Sequence, residues 1–539
     1  MDDAPVLIVG GGPVGLSLAL GLARHNVRSI LFEAKSEGDP HSRALGILPR
    51  SLEIFRGWGI YDRFVNEGLL LSRVDVWAAG RTSPVATLDL TVLSRLSSAP
   101  GVLVLPQDVT EALLLEAVKA TGLTEVLPGC RAHEMAEDAS GAWARVTDRD
   151  GVARTYRGQY LVGCDGAHST VRKSLGWELE GKTYRSRVLL VDVRIRDERD
   201  RLPWPRLAQR RRGVLASVRY KAEHWRLVSI LNKDESDEMA LTTFAIGQRV
   251  AALFGAGSYE QLWASVFQIH CRTSPHLRRG RLLLAGDAGH INSPAGGQGM
   301  NSGIQDAHNL AWKLARALAG ADAEALLSSY EAERREAIVN GVARYTDFLT
   351  RVGLLAPGPV RSAFGTVVRM APRLGLLRRL APRIGMLDTV YSRSAILSGE
   401  GRWVGRRAPD GDLIAPDGSH VRLLDLAGPH PVLLLFTDGS LPGWNAAQVA
   451  ELFPDVRDLK IAVLSPPCAP ADAGTYRIGP DGVLWKAWSV TGDTAALIRP
   501  DGHIGWMGRR PRPAQLAAGV RQALGSWPLA GEEGVGVSA

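Results

Sequence analysis

Three clusters of residues in this 539-residue chain have the types and spacing to hold a redox dinucleotide. The first is Gly10, Gly12 and Gly15 at GxGxxG spacing, with Pro13 among them and Glu33 eighteen residues after Gly15. In such a turn the first glycine permits the bend, the second admits backbone to a pyrophosphate, and the third lets helix and strand pack closely. A helix opening near Pro13 offers that anion unpaired N–H groups and a positive dipole end. Glu33 is placed to accept from a ribose hydroxyl pair, and its charge repels a 2′-phosphate, so the ligand is FAD or NAD rather than NADP. The second cluster is Asp165-Gly166, followed by Ser169 and Arg172. The third is Gly286-Asp287, followed by the loop Pro294 to Gly299 and then by Met300 and Asn301. That loop again aims backbone N–H groups and a helix N-terminus at one spot, a second device for a negative charge. A reduced flavin, negative across N1 and the C2 carbonyl, supplies such a charge and NAD does not.

The elements that must position these clusters follow from the flanking pattern. The aliphatic run Val6 to Val9 predicts a buried strand, and the spacing of Leu16, Ala19, Leu20 and Ala23 predicts a helix after it. SILFEA is a second buried strand ending at Glu33. Pro49 starts a helix with Leu52, Ile54, Phe55 and Trp58 inward, and Arg43 precedes it, as a surface charge or as a phosphate ligand. Gln107 stands at the mouth of the next helix, able to cap it or to bond a cofactor. Residues 141 to 162 alternate and turn at Asp150-Gly151, ending in a buried strand that delivers Asp165 to the carboxyl edge, where ligands bind in open α/β sheets. Residues 178 to 274 have the period of strands with few helical stretches, an antiparallel layer for a substrate. Its Trp204, Trp225 and Trp263 would stack on a planar ligand or pack a core, and Arg210 to Arg212 reads as a solvated turn. Leu282 to Ala285 is a further buried strand, and Ile304, Ala307, Ala311, Leu314 and Leu318 define one helix face.

Composition narrows the class. Hydrophobic content of 45% with 22% charged residues is that of a globular protein, and the length accommodates about three domains. The net charge of +8 is carried by scattered arginines, which predicts a basic solvated surface and no nucleic-acid partner. Cys130, Cys164, Cys271 and Cys468 lie far apart without CxxC spacing, so neither a disulfide framework nor a metal site is expected. No stretch reads as a membrane span or signal peptide, and a cytoplasmic setting is expected.

Taken together the three clusters match, in order, motifs of the single-component (class A) flavoprotein monooxygenases, and the chain resembles that superfamily of p-hydroxybenzoate and phenol hydroxylases. PRSLEIFRGWGI and SGIQDAHNLAWKLA most resemble its branch acting on polycyclic aromatic polyketides. The resemblance implies that Gly10 to Gly15 hold the ADP part of FAD, Cys164-Asp165-Gly166 serve FAD and NAD(P)H together, and Gly286-Asp287 hold the ribitol. It places Arg43 and Gln107 near the phosphates and ribitol, and the Pro294 to Asn301 loop along the isoalloxazine ring. Within that loop, Gly297, Gly299, Met300 and Asn301 are cofactor-binding positions. N–H groups around Gly299 and Met300 would stabilise the anionic flavin, and Pro294 would lie over the ring; these three are the expected catalytic positions. Arg43 and Asp165 are also candidates for a transient NADPH site. The implied chemistry is reduction by NADPH or NADH, O2 addition to give a C4a-hydroperoxide, and hydroxylation of a small-molecule polycyclic aromatic substrate. Epoxidation, Baeyer–Villiger insertion, single-ring phenol hydroxylation and an FAD reductase without oxygen insertion are the alternatives.

The implied fold is α/β, with a Rossmann-like FAD-binding domain, an antiparallel β-sheet substrate domain and a C-terminal thioredoxin-like domain. The expected boundaries are 1–177 (with a strand insertion at about 71–99) and 275–352 for FAD, and 178–274 for substrate. A helical linker is expected over 353–401, where two prolines, Pro372 and Pro382, break the helix, and a thioredoxin-like part over 402–539. The thioredoxin-like part has Asp438 to Trp444 where CxxC would stand, so it is expected to be structural or to support a homodimer. No motif names a general base, and the structural reading is preferred for His290, with His308 irrelevant if it faces solvent.

Overall fold

The computed structural model describes residues 6–37, 44–78, 83–84, 86–94, 96–209, 214–231, 234–356, 360, 366–367, 370, 376–437, 446–466, 475–479, 482–490 and 493–525. Arg43, the Arg210 to Arg212 run, Pro372, Asp438 to Trp444 and Cys468 lie outside them. The chain divides into two compact units. One comprises Met1–Ala23, Arg28–Ala307 and Ala337–Asp388, and the other Arg24–Val27, His308–Glu336 and Thr389–Ala539.

The first unit is built on a six-stranded sheet in the order Arg278–Arg279, Leu282–Leu284, Tyr160–Gly163, Val6–Val9, Ser29–Glu33, Thr124–Pro128. All neighbours are parallel except the Arg278–Arg279 edge. Val6 to Val9 and Leu282 to Leu284 are buried throughout, as expected of parallel strands covered on both faces. The register aligns Val9 with Phe32 and with Gly163, and Gly163 with Leu284. Consequently the residues that follow, Gly10, Cys164 and Ala285, leave the sheet at one carboxyl edge. Three backbone bonds hold that edge: Gly10 N–H to Phe32 O, Cys164 N–H to Val9 O and Ala285 N–H to Gly163 O, at 2.8, 2.7 and 2.9 Å.

A separate three-stranded antiparallel sheet comprises Arg131–Asp138, Gly141–Thr147 and Ala153–Gly158. Its second and third strands form the expected hairpin, and the polar first strand was not foreseen. An eight-stranded sheet runs His290–Ile291, Glu260–Thr273, Glu180–Arg194, His224–Ile230, Val214–Lys221, Arg206–Gln209, Arg73–Ala78, Ala86–Asp89. One face of it is covered by the helix Thr243–Phe254, whose Ile246, Val250, Leu253 and Phe254 pack on Leu189, Val191, Trp225 and Leu227. The Thr242 hydroxyl starts this helix by accepting from Ala245 N–H at 3.2 Å. Trp225 and Trp204 therefore belong to a packed core, the former fully buried.

The second unit holds another eight-stranded sheet, in which Val432–Phe436 lies parallel to Lys460–Ser465 and antiparallel to Thr494–Ile498. Val432, Leu434 and Phe436 feed one core and Leu433 and Leu435 another, so the strand is buried on both faces. The helices Ala446–Ala450, Val483–Trp488 and Pro513–Leu524 accompany it in the alternating order expected of a thioredoxin-like fold. The longest described helix is Gly299–Leu318. No described helix is long and apolar enough to cross a membrane.

Candidate active site

The glycine turn after Val9 is shaped by contacts that only hydrogen at Cα permits. Gly10 has φ +108°, and a Cβ there would lie 2.5 Å from the Cys164 carbonyl oxygen. A Cβ on Gly15 would lie 1.9 Å from Gly10 O, so the helix Pro13–Arg24 meets the turn with no room for a methyl group. On Gly12 a Cβ would meet nothing within 4 Å. Protein packing therefore explains Gly10 and Gly15 but not Gly12, whose space lies at the helix N-terminus. The Glu33 carboxylate is moored beside this turn: Oε2 accepts from Gly11 N–H at 2.7 Å and Oε1 from Lys35 N–H at 2.8 Å.

Gln107 is the first residue of the helix Gln107–Thr121; it accepts from Ala44 N–H at 3.4 Å and donates to Glu111 Oε1 at 2.8 Å. Burial, reinforced by the charge of Glu33, pushes the Glu111 carboxyl above its ordinary range despite the Gln107 bond. Asp165, at the end of the Tyr160–Gly163 strand, caps the short helix Thr170–Ser174. Its Oδ1 accepts from the Ser169 hydroxyl at 2.5 Å and its Oδ2 from Thr170 N–H at 2.6 Å. Burial raises its pKa against these bonds. Arg172, also buried, donates from Nη1 to Ala288 O at 2.9 Å and from Nη2 to Ala167 O at 3.0 Å, joining the loop after Asp165 to the loop after Asp287.

Gly286, with φ +61°, opens a tight turn that leaves Asp287 exposed and His290 fully buried. Asp306, about two turns into the Gly299–Leu318 helix, accepts from Gly286 N–H at 2.9 Å and from His290 Nε2 at 2.6 Å through the same oxygen. Asn292 Nδ2 lies 3.2 Å from His290 Nδ1. His290 is fully buried, with both ring nitrogens within hydrogen-bond distance of protein partners.

Downstream, Gly297 N–H closes a turn onto Pro294 O at 3.1 Å, with Pro294 exposed. A Cβ on Gly297 or Gly299 would meet nothing within 4 Å. The first-turn N–H groups at Gly299 and Met300 have no intrahelical acceptor. The Asn301 side chain is used within the protein: Oδ1 accepts from Leu48 N–H at 2.8 Å, while Nδ2 donates to Gly46 O and Gly297 O at 2.9 and 2.8 Å. The sequence places Asn301 on the cofactor without this tie and Arg172 in the Asp165 cluster without its bond to Ala288, and it gives no sign of Asp306 or Glu111. No local motif marks their partners, which lie far away in the chain or on the next helical turn.

A parallel sheet that gathers a glycine turn, an anchored ribose-type acid and two further loops at one carboxyl edge, with open space at Gly12, Gly297 and Gly299, fits a flavin dinucleotide. These features define a flavoprotein. Residues 3–344 match the family model for an FAD binding domain, and residues 401–528 match that for the C-terminal region of aromatic-ring hydroxylases. A 12-dehydrotetracycline 5-monooxygenase/anhydrotetracycline 6-monooxygenase of Streptomyces rimosus is 31% identical over 535 residues, covering 97% of this chain and 98% of its own. The solved structure of the anhydrotetracycline hydroxylase OxyS from Streptomyces rimosus superposes with a TM-score of 0.75 at 30% identity, covering 97% of this chain and 99% of that one. That of CabE, an aromatic hydroxylase from angucycline biosynthesis, gives 0.77 at 27% identity, over 97% and 100%. The chain belongs to the FAD-dependent aromatic-ring monooxygenases, enzymes that consume O2 and a nicotinamide reductant.

Proposed function

We propose that this protein hydroxylates a polycyclic aromatic intermediate of the polyketide type. What supports the reading is the near end-to-end match to a tetracycline-type monooxygenase, C-terminal region included, together with a cofactor edge in which every family motif is intact. FAD held by these residues would supply the redox chemistry, namely hydride acceptance, O2 activation and delivery of one oxygen atom to an electron-rich ring carbon. The chain contributes binding, orientation and charge stabilisation. Gly12 and Pro13 place the first helix N-terminus against the pyrophosphate, Gly10 and Gly15 shape the turn, and Glu33 takes the ribose hydroxyls. By the family resemblance Gln107, and Arg43 from outside the described residues, would serve the phosphates and ribitol, Asp287 the ribitol, and Asp165 both FAD and the nicotinamide reductant. N–H groups around Gly299 and Met300 would stabilise the anionic reduced flavin and Pro294 would lie over its ring, with Gly297 and Asn301 as further cofactor-binding positions. Residues 1–177 and 275–352 serve FAD and 178–274 the substrate. Residues 353–401 link these to 402–539, a support or dimer-forming part.

The deciding experiment is turnover driven by NADPH, and separately by NADH, under isotopically labelled O2, with polycyclic and single-ring phenols as substrates. One labelled atom in a polycyclic product is the expected result. Label only in single-ring products would move the substrate class, label in a lactone or epoxide would change the reaction type, and an altered product without label would leave an FAD reductase.

A further inference from the structure

The eight-stranded sheet of the first unit has one face closed by the helix Thr243–Phe254; the opposite face carries a chemically unusual group. The register sets Asp192 beside Arg226 on one side and Trp263 on the other. Arg226 Nε reaches Asp192 Oδ1 at 2.7 Å and Nη2 reaches Oδ2 at 2.7 Å, a bidentate pair with both residues buried. The guanidinium carbon lies 5.9 Å from the ring centre of Tyr220 and 5.8 Å from that of Trp263, so two aromatic rings flank one fixed cation. Apolar side chains would stabilise such a site as well or better, because a buried ion pair gives back much of its Coulomb energy in desolvation. Packing alone does not call for this pair.

This face also points toward the flavin loop. Leu355 packs with Val188 and Leu190, and the Tyr184 hydroxyl bonds to Asp347. The same segment meets the loop: Thr350 Oγ1 lies 2.6 Å from Ser293 Oγ, and Tyr345 and Leu349 close on Gly296. At the other end, Asp108, in the first turn of the Gln107 helix, is near enough to act electrostatically on Tyr220. Tyr220 is half-buried. Burial, and after it the charge of Asp192, drives its hydroxyl well above the ordinary phenol range, so it remains an O–H donor at every working pH.

On the functional reading above, we propose that Tyr220 is a specificity-determining residue that donates to a phenol, enol or quinone oxygen of the planar substrate, with Arg226 and Asp192 positioning it. Trp263 then offers a face to the ring system, and the ion pair holds Tyr220 by its ring rather than by its hydroxyl, leaving the hydroxyl's function to the substrate. The pair is a positioning device and is not consumed.

The test titrates the FAD-loaded enzyme with anhydrotetracycline, a planar polycycle bearing phenol and carbonyl oxygens, following flavin absorbance, for wild type, Tyr220→Phe and Tyr220→His. Flavin content reports folding. Tyr220→Phe is expected to raise Kd about fivefold to tenfold, the worth of one hydrogen bond in a dry site. Tyr220→His, which keeps a ring and a donor, is expected to recover part of that loss. An unchanged Kd in Tyr220→Phe, or equal losses in both variants, would overturn the assignment, the latter because ring shape alone would then matter. Absence of any anhydrotetracycline binding to wild type would overturn it too. Normal binding with no labelled oxygen in the product would instead count against the monooxygenase reading while leaving the Tyr220 comparison intact.

Discussion

One carboxylate oxygen of Asp306 serves two partners at once: it takes the Gly286 N–H at 2.9 Å and sits 2.6 Å from His290 Nε2, with neither His290 nor Asp306 exposed. The turn that presents Asp287 and the helix that begins at the flavin loop are thus tied through a single atom. Asp306→Ala should cost about 2–4 kcal/mol, since it strands two buried donors. Thermal unfolding of the holoenzyme measures this. In a cycle with His290→Ala the two losses should overlap by at least ~1 kcal/mol; strict additivity would show that the contact is energetically idle.

Gly12 and Gly15 should respond differently to the same methyl group. Gly15→Ala drives a Cβ to 1.9 Å from Gly10 O and should destabilise even the apoprotein, by about 1–3 kcal/mol. Gly12→Ala meets no protein atom, so apoprotein stability should hold within ~0.5 kcal/mol. Its FAD affinity should nevertheless fall at least about tenfold, because the methyl group occupies the approach to the pyrophosphate. Denaturant melts of apoprotein and fluorescence titration with FAD separate the two effects.

Asn301→Ala removes three bonds that hold the start of the long helix to Leu48, Gly46 and Gly297. At about 1 kcal/mol for each, the protein should lose ~3 kcal/mol. FAD should also dissociate faster, since the loop bearing Gly297 and Gly299 loses its anchor. Stopped-flow release of FAD into an excess of an FAD-binding apoprotein that serves as a trap reads the rate.

Acid stability should depend on the second unit, where Glu333, Lys313 and Arg499 are fully buried together. Glu333 Oε2 lies 2.8 Å from Lys313 Nζ, and Arg499 grips both carboxylate oxygens at 2.6 and 2.9 Å. Burial alone would raise the Glu333 pKa, but the Arg499 and Lys313 charges overcome it and bring it from 4.5 to about 2. A depressed carboxylate stabilises the fold fully above its unfolded pKa and loses that contribution as pH falls through the folded one. The window is therefore pH 4.5 down to about 2. Glu333→Gln should flatten the stability profile across that window and cost about 3–5 kcal/mol at neutral pH, because buried Lys313 loses its carboxylate while Arg499 keeps only Asp501. Urea melts at a series of pH values supply the comparison.

The cofactor edge was legible in the sequence because its parts are local. Buried parallel strands such as Val6–Val9 and Leu282–Leu284 are unbroken apolar runs, and the glycines follow them directly. The helix Thr243–Phe254 was harder to see: it is short, carries Gly247, and interrupts a segment otherwise alternating with the period of strands. Arg131–Asp138 hides for the opposite reason, since only Ala132 and Met135 are buried among its polar residues and a register shift opposite them breaks the alternation. Arg172 reads as no more than a neighbour of Asp165, and Asp306 as an ordinary polar position on a helix. Their meaning lies in partners 116 and 20 residues away, Ala288 and Gly286, which only the folded chain brings close.

Besides the short stretch Arg24–Val27, the second unit takes in the chain as His308–Glu336 and again from Thr389, and its buried polar groups join those two longer passages: Asn309 donates to both Glu333 and Asp501, each at 2.8 Å. For anyone recombining relatives of this enzyme, the exchangeable block is therefore not the C-terminal region alone. A crossover placed after residue 388 would transplant Arg499 and Asp501 onto a foreign Lys313 and Glu333, and any mismatch would bury a lone charge. Chimeras should swap residues 308–336 and 389–525 as a single cassette with two inserts.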